Sequence, residues 1–394
     1  MISLKRTAKH YLNEIGLPPA ARAIRRQDGA GLPSVDPGPE RMIEEGIAWL
    51  CRAQDQSRTH DGGVARHYSL IDGWAASYPE TTGYIVPTLI AHGHDKARPE
   101  LIERAQRMLD WLVSIQFPDG GFQGGTIDQL PRVPVTFNTG QILIGLAAGA
   151  RLDSRYAEPM HRAARWLVES QDGDGCWRRH PTPFAAHGEK TYETHVSLGL
   201  IEAAGVDAGC GYLEAALKQV DWALRAQSSN GWLANCCLSD PQSPLTHTLG
   251  YALRGVIAAF CASKDRRYLG AACRTADGLL SALGPDGRLP GRMDAAWQPA
   301  ADWVCLTGAS QIAECWLLLH KATNRDEYRR AALLANRFVR RTVSIDGASE
   351  IRGGIKGSFP ISGEYGAWQY LNWACKFTID ANRAESRLRA VSPV

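Results

Sequence analysis

The chain has 394 residues, 44% of them hydrophobic and 22% charged, with 39 glycines, 12 tryptophans and a formal net charge of +3. That balance excludes a disordered, collagen-like or disulfide-stapled chain and provides apolar surface for a large core. Residues 1–28 carry +4 (Lys5, Arg6, Lys9, Arg22, Arg25 and Arg26 against Glu14 and Asp28), so the remainder carries −1 and is not a nucleic-acid-binding body.

Residues 1–38 read as a basic N-terminal arm, helical in part, that packs on the body or brings residues 1–28 to an anionic membrane surface or a partner. The start MISLKRTAKHYLNEIG lacks the apolar core of a secretory signal, and no apolar run reaches the roughly 18 residues of a membrane span. The ten cysteines are scattered, without a CxxC pair, and several stand in apolar helical runs as small hydrophobes. A cytoplasmic location, peripheral to the inner membrane if the arm binds there, is expected.

From residue 39 the chain repeats. Asp61-Gly62, Asp119-Gly120, Asp174-Gly175, Asn230-Gly231, Asp286-Gly287 and Asp346-Gly347 follow at steps of 58, 55, 56, 56 and 60 residues. Before the first four runs an amphipathic helix ending in Gln54, Gln116, Gln171 or Gln227; the last two keep the helix and lose the glutamine. A second marker, Thr82, Thr139, Thr194, Thr248, Thr307 and Gly366, recurs at steps of 57, 55, 54, 59 and 59 and opens a second kind of helix. The first kind has a polar face and the second is apolar nearly all round, so one is exposed and the other enclosed. Six such pairs predict an (α/α)6 toroid over residues 39–382, followed by a tail at 383–394. The Asp-Gly pairs are tight turns, and the following Phe122, Trp177 and Trp232 are expected to plug against neighbouring hairpins.

In such a ring the loops before the inner helices converge on one mouth, the default place for a site. The polar groups falling there include Glu80, Tyr84, Asn138, Gln141, Tyr192, Glu193, His195, His247, Asp294, Asp302, Lys356, Ser358, Glu364 and Tyr365. Glu80, His195, His247, Glu364 and Tyr365 are the candidate acids and bases. Tyr84, Asn138, Gln141, Tyr192, Arg292, Trp303, Lys356, Ser358 and Trp368 are the candidate substrate contacts. Each also has a structural reading: a carboxylate at a helix start favours the dipole, Thr81, Thr246 and Thr307 can cap helices, and a lone histidine in an apolar helix is commonly a core residue. Arg292 in LPGRMD and Lys356 in GGIKGSFP, cations in Gly-rich loops, point to an anionic substrate group. Cys236, Cys237 and His247 do not have the spacing of a zinc site, and no phosphate loop or dinucleotide fingerprint is present, so neither metal nor cofactor is expected.

The segment RWLVESQDGDGCW resembles the QW repeats of squalene–hopene cyclases, but the cyclising Asp-x-Asp-Asp motif of that family and the Asp-Asp-x-x-Asp cluster of terpene synthases are absent. Residues 40–382 resemble more fully the VpsJ-like proteins of bacterial exopolysaccharide biosynthesis, through PETTGYIVPTL, DGGFQGG, FNTGQIL, PLTHTLGYALRG, DGRLPGRMD, CLTGASQIA and GGIKGSFPISGEYG. This resemblance implies a role in making or modifying a cell-surface polysaccharide. Four functions remain open at this point. They are acid/base chemistry on a uronate-type sugar by an epimerase or lyase, and glycoside hydrolysis by Glu80 paired with Glu364. The others are a non-catalytic glycan-binding scaffold and an isoprenoid cyclase.

Overall fold

The structure is a computed structural model that describes residues 16–391. Lys5, Arg6 and Lys9 of the arm lie outside the described residues. A short helix, α1 (Pro19–Gly29), leads into the ring. The outer helices are α2 (Pro39–Asp55), α4 (Pro99–Ile115), α6 (Ala157–Ser170), α8 (Tyr212–Leu224), α10 (Arg266–Ser281) and α12 (Asp326–Arg341). Between them run the inner helices α3 (Pro79–Asp95), α5 (Thr136–Leu152), α7 (Thr194–Ala204), α9 (Thr246–Ser263), α11 (Leu306–Thr323) and α13 (Asn372–Val391). Each inner helix packs on its inner neighbours, and α13 meets α3 and α2 to close the ring. The chain is an (α/α)6 toroid.

Burial follows the two sequence patterns. In α2 the buried side is a stripe that includes Met42, Ile43, Ile47, Leu50 and Ala53, whereas in α5 every residue from 136 to 147 is buried. Close approach of inner helices requires small residues: a Cβ on Gly83 would stand 2.5 Å from Ile142 Cα.

The repeated residues have identifiable work. All six turn glycines adopt φ between +85° and +104°. In the second repeat Asp119 Oδ1 accepts from Gly121 N–H at 3.1 Å, fixing the turn. The glutamine that ends the outer helix then binds this turn to the next outer helix: Gln171 Nε2 donates to Gly175 O at 3.1 Å and to Ala215 O at 2.9 Å. Gln116 makes the equivalent pair with Gly120 and Pro159. In the first two repeats the recurrent threonine ties the inner helix to the chain after the turn, with Val64 N–H on Thr82 Oγ1 and Phe122 N–H on Thr139 Oγ1, both at 3.0 Å. Phe122, Trp177 and Trp232 are all buried. Thr81, Thr246 and Thr307 do not cap their helices; Thr246 Oγ1 instead donates to Pro290 O.

Two differences from the sequence reading affect the site. The sixth repeat contains an inserted hairpin, so Gly366 stands ahead of its inner helix, which starts at Asn372. Strand β5 (Gln369–Leu371) of that hairpin pairs antiparallel with β1 (His67–Ser69), itself paired with β2 (Gly73–Trp74), and so joins repeats one and six. Strands β3 (Val304–Cys305) and β4 (Ser358–Phe359) form a second small sheet. The other difference is that α13 continues to Val391, with Arg383 2.7 Å from Asp95, so position 382 lies inside a helix and does not begin a tail.

The described part of the arm is docked on the ring. Asp28 is buried, takes an ion pair from Lys356 and accepts from Ile361 N–H at 2.8 Å. Asp36 receives both Nε and Nη2 of Arg340 at 2.7 Å, and Arg340 also reaches Glu385 at 2.8 Å. Lys356 therefore does not face the mouth as expected; its Gly-rich loop turns it inward onto α1. Among the described residues no helix is long and apolar enough to cross a membrane.

Candidate active site

At the end of the ring where the inner helices begin lies a cavity of about 220 Å³. Its one carboxyl group is Glu80, in the first turn of α3, a helix started by Pro79 at a position where a missing N–H does no harm. Glu80 Oε2 accepts from Tyr78 Oη at 2.8 Å and from Asn138 Nδ2 at 2.9 Å. Burial pushes its pKa up to about 7, against the opposing pull of the Tyr78 hydrogen bond and the Arg66 charge.

His247, from the first turn of α9, lines the same cavity. Its Nδ1 is 2.8 Å from Gln311 Oε1. With that oxygen as acceptor, Nδ1 carries the proton and Nε2 keeps its lone pair. Burial pushes the pKa of His247 down to about 4, so the ring is neutral at physiological pH.

Aromatic rings make most of the remaining wall. Tyr251 stands 4.4 Å from His247 and 5.1 Å from Phe137, centroid to centroid, with its phenol beside that of Tyr84. Tyr365 lies 5.3 Å from His247 and its hydroxyl accepts from Trp373 Nε1 at 2.9 Å. Arg66 is the cation of the mouth, its guanidinium 5.1 Å from the Trp373 ring and 5.9 Å from that of Tyr78. Phe184, half exposed on the loop before α7, and Leu238 border the opening.

Of the residues expected from sequence, Glu80, Tyr84, Asn138, Tyr192, His247 and Tyr365 meet on this cavity. The others do not. His195 lies on the far side of the ring layer formed by Tyr251 and Phe377, its Nδ1 2.6 Å from Gln141 Oε1, and lines a different cavity. Gln141 serves there as its partner. Glu364 is exposed on the inserted hairpin and pairs with Arg292 at 2.9 Å, so neither belongs to the mouth and Arg292 already has its counter-charge. Trp303 lines the same outer groove as that pair. Ser358 Oγ donates to Tyr365 O at 2.8 Å and Trp368 accepts from Leu70 N–H at 2.9 Å through its carbonyl, both structural roles. Cys236 turns its thiol to Thr248 O.

The residues missed are Arg66, Phe137, Tyr251 and Trp373. Tyr251 was legible, being four residues beyond His247 and so on the same helix face. Trp373 was hidden by the insertion, which shifts the start of the sixth inner helix. Arg66 lies in a loop with no periodic signal.

No family model matches the chain. Among curated proteins, drimenyl diphosphate synthase of Streptomyces showdoensis is 28% identical over 146 residues, 37% of this chain and 25% of that protein. The chain thus matches only a quarter of that relative's length. Among solved structures, an unsaturated glucuronyl hydrolase specific for heparin aligns with a TM-score of 0.72 at 15% identity, covering 89% of this chain and 98% of its own. A D-mannose isomerase gives 0.70 at 13% identity, with 89% and 97% covered. Cellobiose 2-epimerase from Bacillus thermoamylovorans B4167 gives 0.68 at 10%, with 85% and 95% covered. At these identities the likeness is one of fold.

Proposed function

We propose that the chain is a carbohydrate-active enzyme that moves a proton on a single sugar ring, an epimerase or isomerase working with Glu80 and His247. The observation that carries this reading is that one small cavity holds a carboxyl poised near neutrality and an imidazole held neutral. In the form that predominates below pH 7, His247 Nε2 is the base and protonated Glu80 the acid. Removal of a proton beside a carbonyl or carboxylate by His247 leaves an enolate, which Arg66 stabilises, and Glu80 delivers the proton that completes the inversion or shift. The volume, about seven waters' worth, suits one pyranose ring. The aromatic walls offer flat faces to its C–H surface.

The pairing of Glu80 with Glu364 loses its basis. A hydrolase with Glu80 and Glu364 has no carboxylate pair, because Glu364 lies on the outer hairpin with Arg292. The anionic-substrate argument moves from Arg292 and Lys356 to Arg66. The isoprenoid-cyclase reading draws on the local match to drimenyl diphosphate synthase and on the aromatic lining, and the size of the cavity opposes it. The resemblance to exopolysaccharide proteins supports a substrate among the sugars of a cell-surface polysaccharide.

The test is incubation with hexoses, uronates and their oligosaccharides in D₂O, following deuterium wash-in at carbon by NMR. Exchange should be present in the wild type and fall about 10²–10⁴-fold in Glu80→Gln and His247→Ala. Sugar release without deuterium incorporation would instead show hydrolysis. The rate should rise as His247 loses its proton through about pH 4 and fall as Glu80 ionises through about pH 7. A plateau across that interval and beyond would remove Glu80 as the acid.

A further inference from the structure

The ring axis holds a second cavity, of about 190 Å³. Its walls come from the same inner helices as the mouth, one to three turns further along: Thr88 beyond Tyr84, Arg254 beyond His247 and Tyr251, Lys376 and Asp380 beyond Trp373. It opens, therefore, at the opposite end of the axis. The layer that separates the two contains Tyr251 and Phe377, with centroids 5.9 Å apart.

The lining is charged, with Arg151, Arg254, Lys376 and Arg383 against Glu202, Glu314 and Asp380. Most of these charges are satisfied. Arg151 is 2.8 Å from Glu202, Lys376 is 2.9 Å from Asp380, and Arg383 is 2.7 Å from Asp95. Arg254 is different. Its nearest carboxylate oxygen, on Glu314, is 4.0 Å from Nε, beyond hydrogen-bond reach, and no other partner meets its guanidinium among the described residues. A planar fork of five donors, partly open to a cavity whose other charges balance at three cations against three carboxylates, is left without a hydrogen-bond acceptor.

We propose that this cavity binds a small oxyanion, the phosphate or carboxylate of a sugar-sized metabolite, bidentately on Arg254, with Glu314 as a second contact. Two parallel N–H···O bonds from a guanidinium match an oxyanion in shape and charge. The volume admits such a group with a few attached carbons and excludes a polymer chain. Burial, aided by the nearby Asp380, raises the pKa of Glu314 against the opposing pull of Arg254, which favours the protonated form that donates to the oxyanion instead of repelling it. The site is separate from the mouth and does not depend on the reaction assigned there.

Titration of the full chain with inorganic phosphate, and in parallel with D-glucuronate, followed by calorimetry, tests the proposal. Saturable binding of at least one is expected, with a component that is weakened tenfold or more in Arg254→Met and persists unchanged in Arg66→Met. The tighter of the two identifies the source of the oxyanion. Glu314→Ala, which removes the second contact, should weaken binding threefold or more, and gives a reading even where Arg254→Met does not fold. Binding lost in Arg66→Met but kept in Arg254→Met would put the anion in the mouth and overturn the proposal. So would affinity unchanged in Glu314→Ala, or no saturable binding of either probe.

Discussion

At the seam where α1 docks on the ring, Lys356 is buried against Asp28, and Arg340 is buried between Asp36 and Glu385. In the mouth, Glu80 and His247 are equally buried, yet every hydrogen bond they receive or make is with a neutral group: Tyr78, Asn138 and Gln311. Opposite charges in low dielectric fix both protonation states and lock the pieces together. Neutral partners hold a group in place while leaving its proton exchangeable near physiological pH. Burial alone therefore does not mark a site; the kind of partner does.

The comparison can be broken most severely at the seam. Lys356→Met leaves Asp28 buried without its cation and should lower unfolding stability by about 3–5 kcal/mol in urea denaturation. The double variant Lys356→Met/Asp28→Asn should recover much of that loss. Equal loss in the double variant would mean that packing of the lysine stem, not the ion pair, holds α1.

Glu80 should respond in the opposite sense. Its pKa is raised from 4.5 to about 7 in the fold, so the stability its neutral form contributes is complete below pH 4.5 and lost as pH rises through 7. Glu80→Gln cannot ionise. Between about pH 5 and about pH 8 its stability should gain on the wild type, by up to about 3 kcal/mol. Parallel stability curves would show that Glu80 is not the carboxyl with the raised pKa.

The smallest effect expected is in the outer scaffold. Gln171→Ala removes two hydrogen bonds to backbone carbonyls and should cost about 1–2 kcal/mol by denaturation, with deuterium exchange in the mouth unaffected. A large loss of exchange would show that outer-ring geometry controls the mouth.

Much of the site was readable because it follows the repeat. Glu80, Asn138, Tyr192 and His247 each stand at or just before an inner-helix start, and the period locates those starts. Tyr365 reached the cavity for a different reason, through the inserted hairpin. The same insertion misled the placement of Glu364, which appeared to begin a helix because it precedes Gly366 as Glu80 precedes Thr82, and instead pairs with Arg292 on the outside. His195, second in α7 as His247 is in α9, packs 4.5 Å from Tyr251 and lines the other cavity.

Length, composition and two interleaved markers determined by themselves that this chain closes into one ring of six hairpins, because helical periodicity and turn chemistry act over short sequence distances. Glycine with positive φ and glutamine at a helix end are local requirements, and local requirements leave a residue signature. Only the tertiary structure decided which charges meet. Lys356 and Asp28 are separated by 328 residues, and Glu80 and Asn138 by 58. Whether a buried group finds an ion-pair partner or a neutral one depends on how the ring closes, and that choice separates the residues that hold the protein together from those free to exchange a proton.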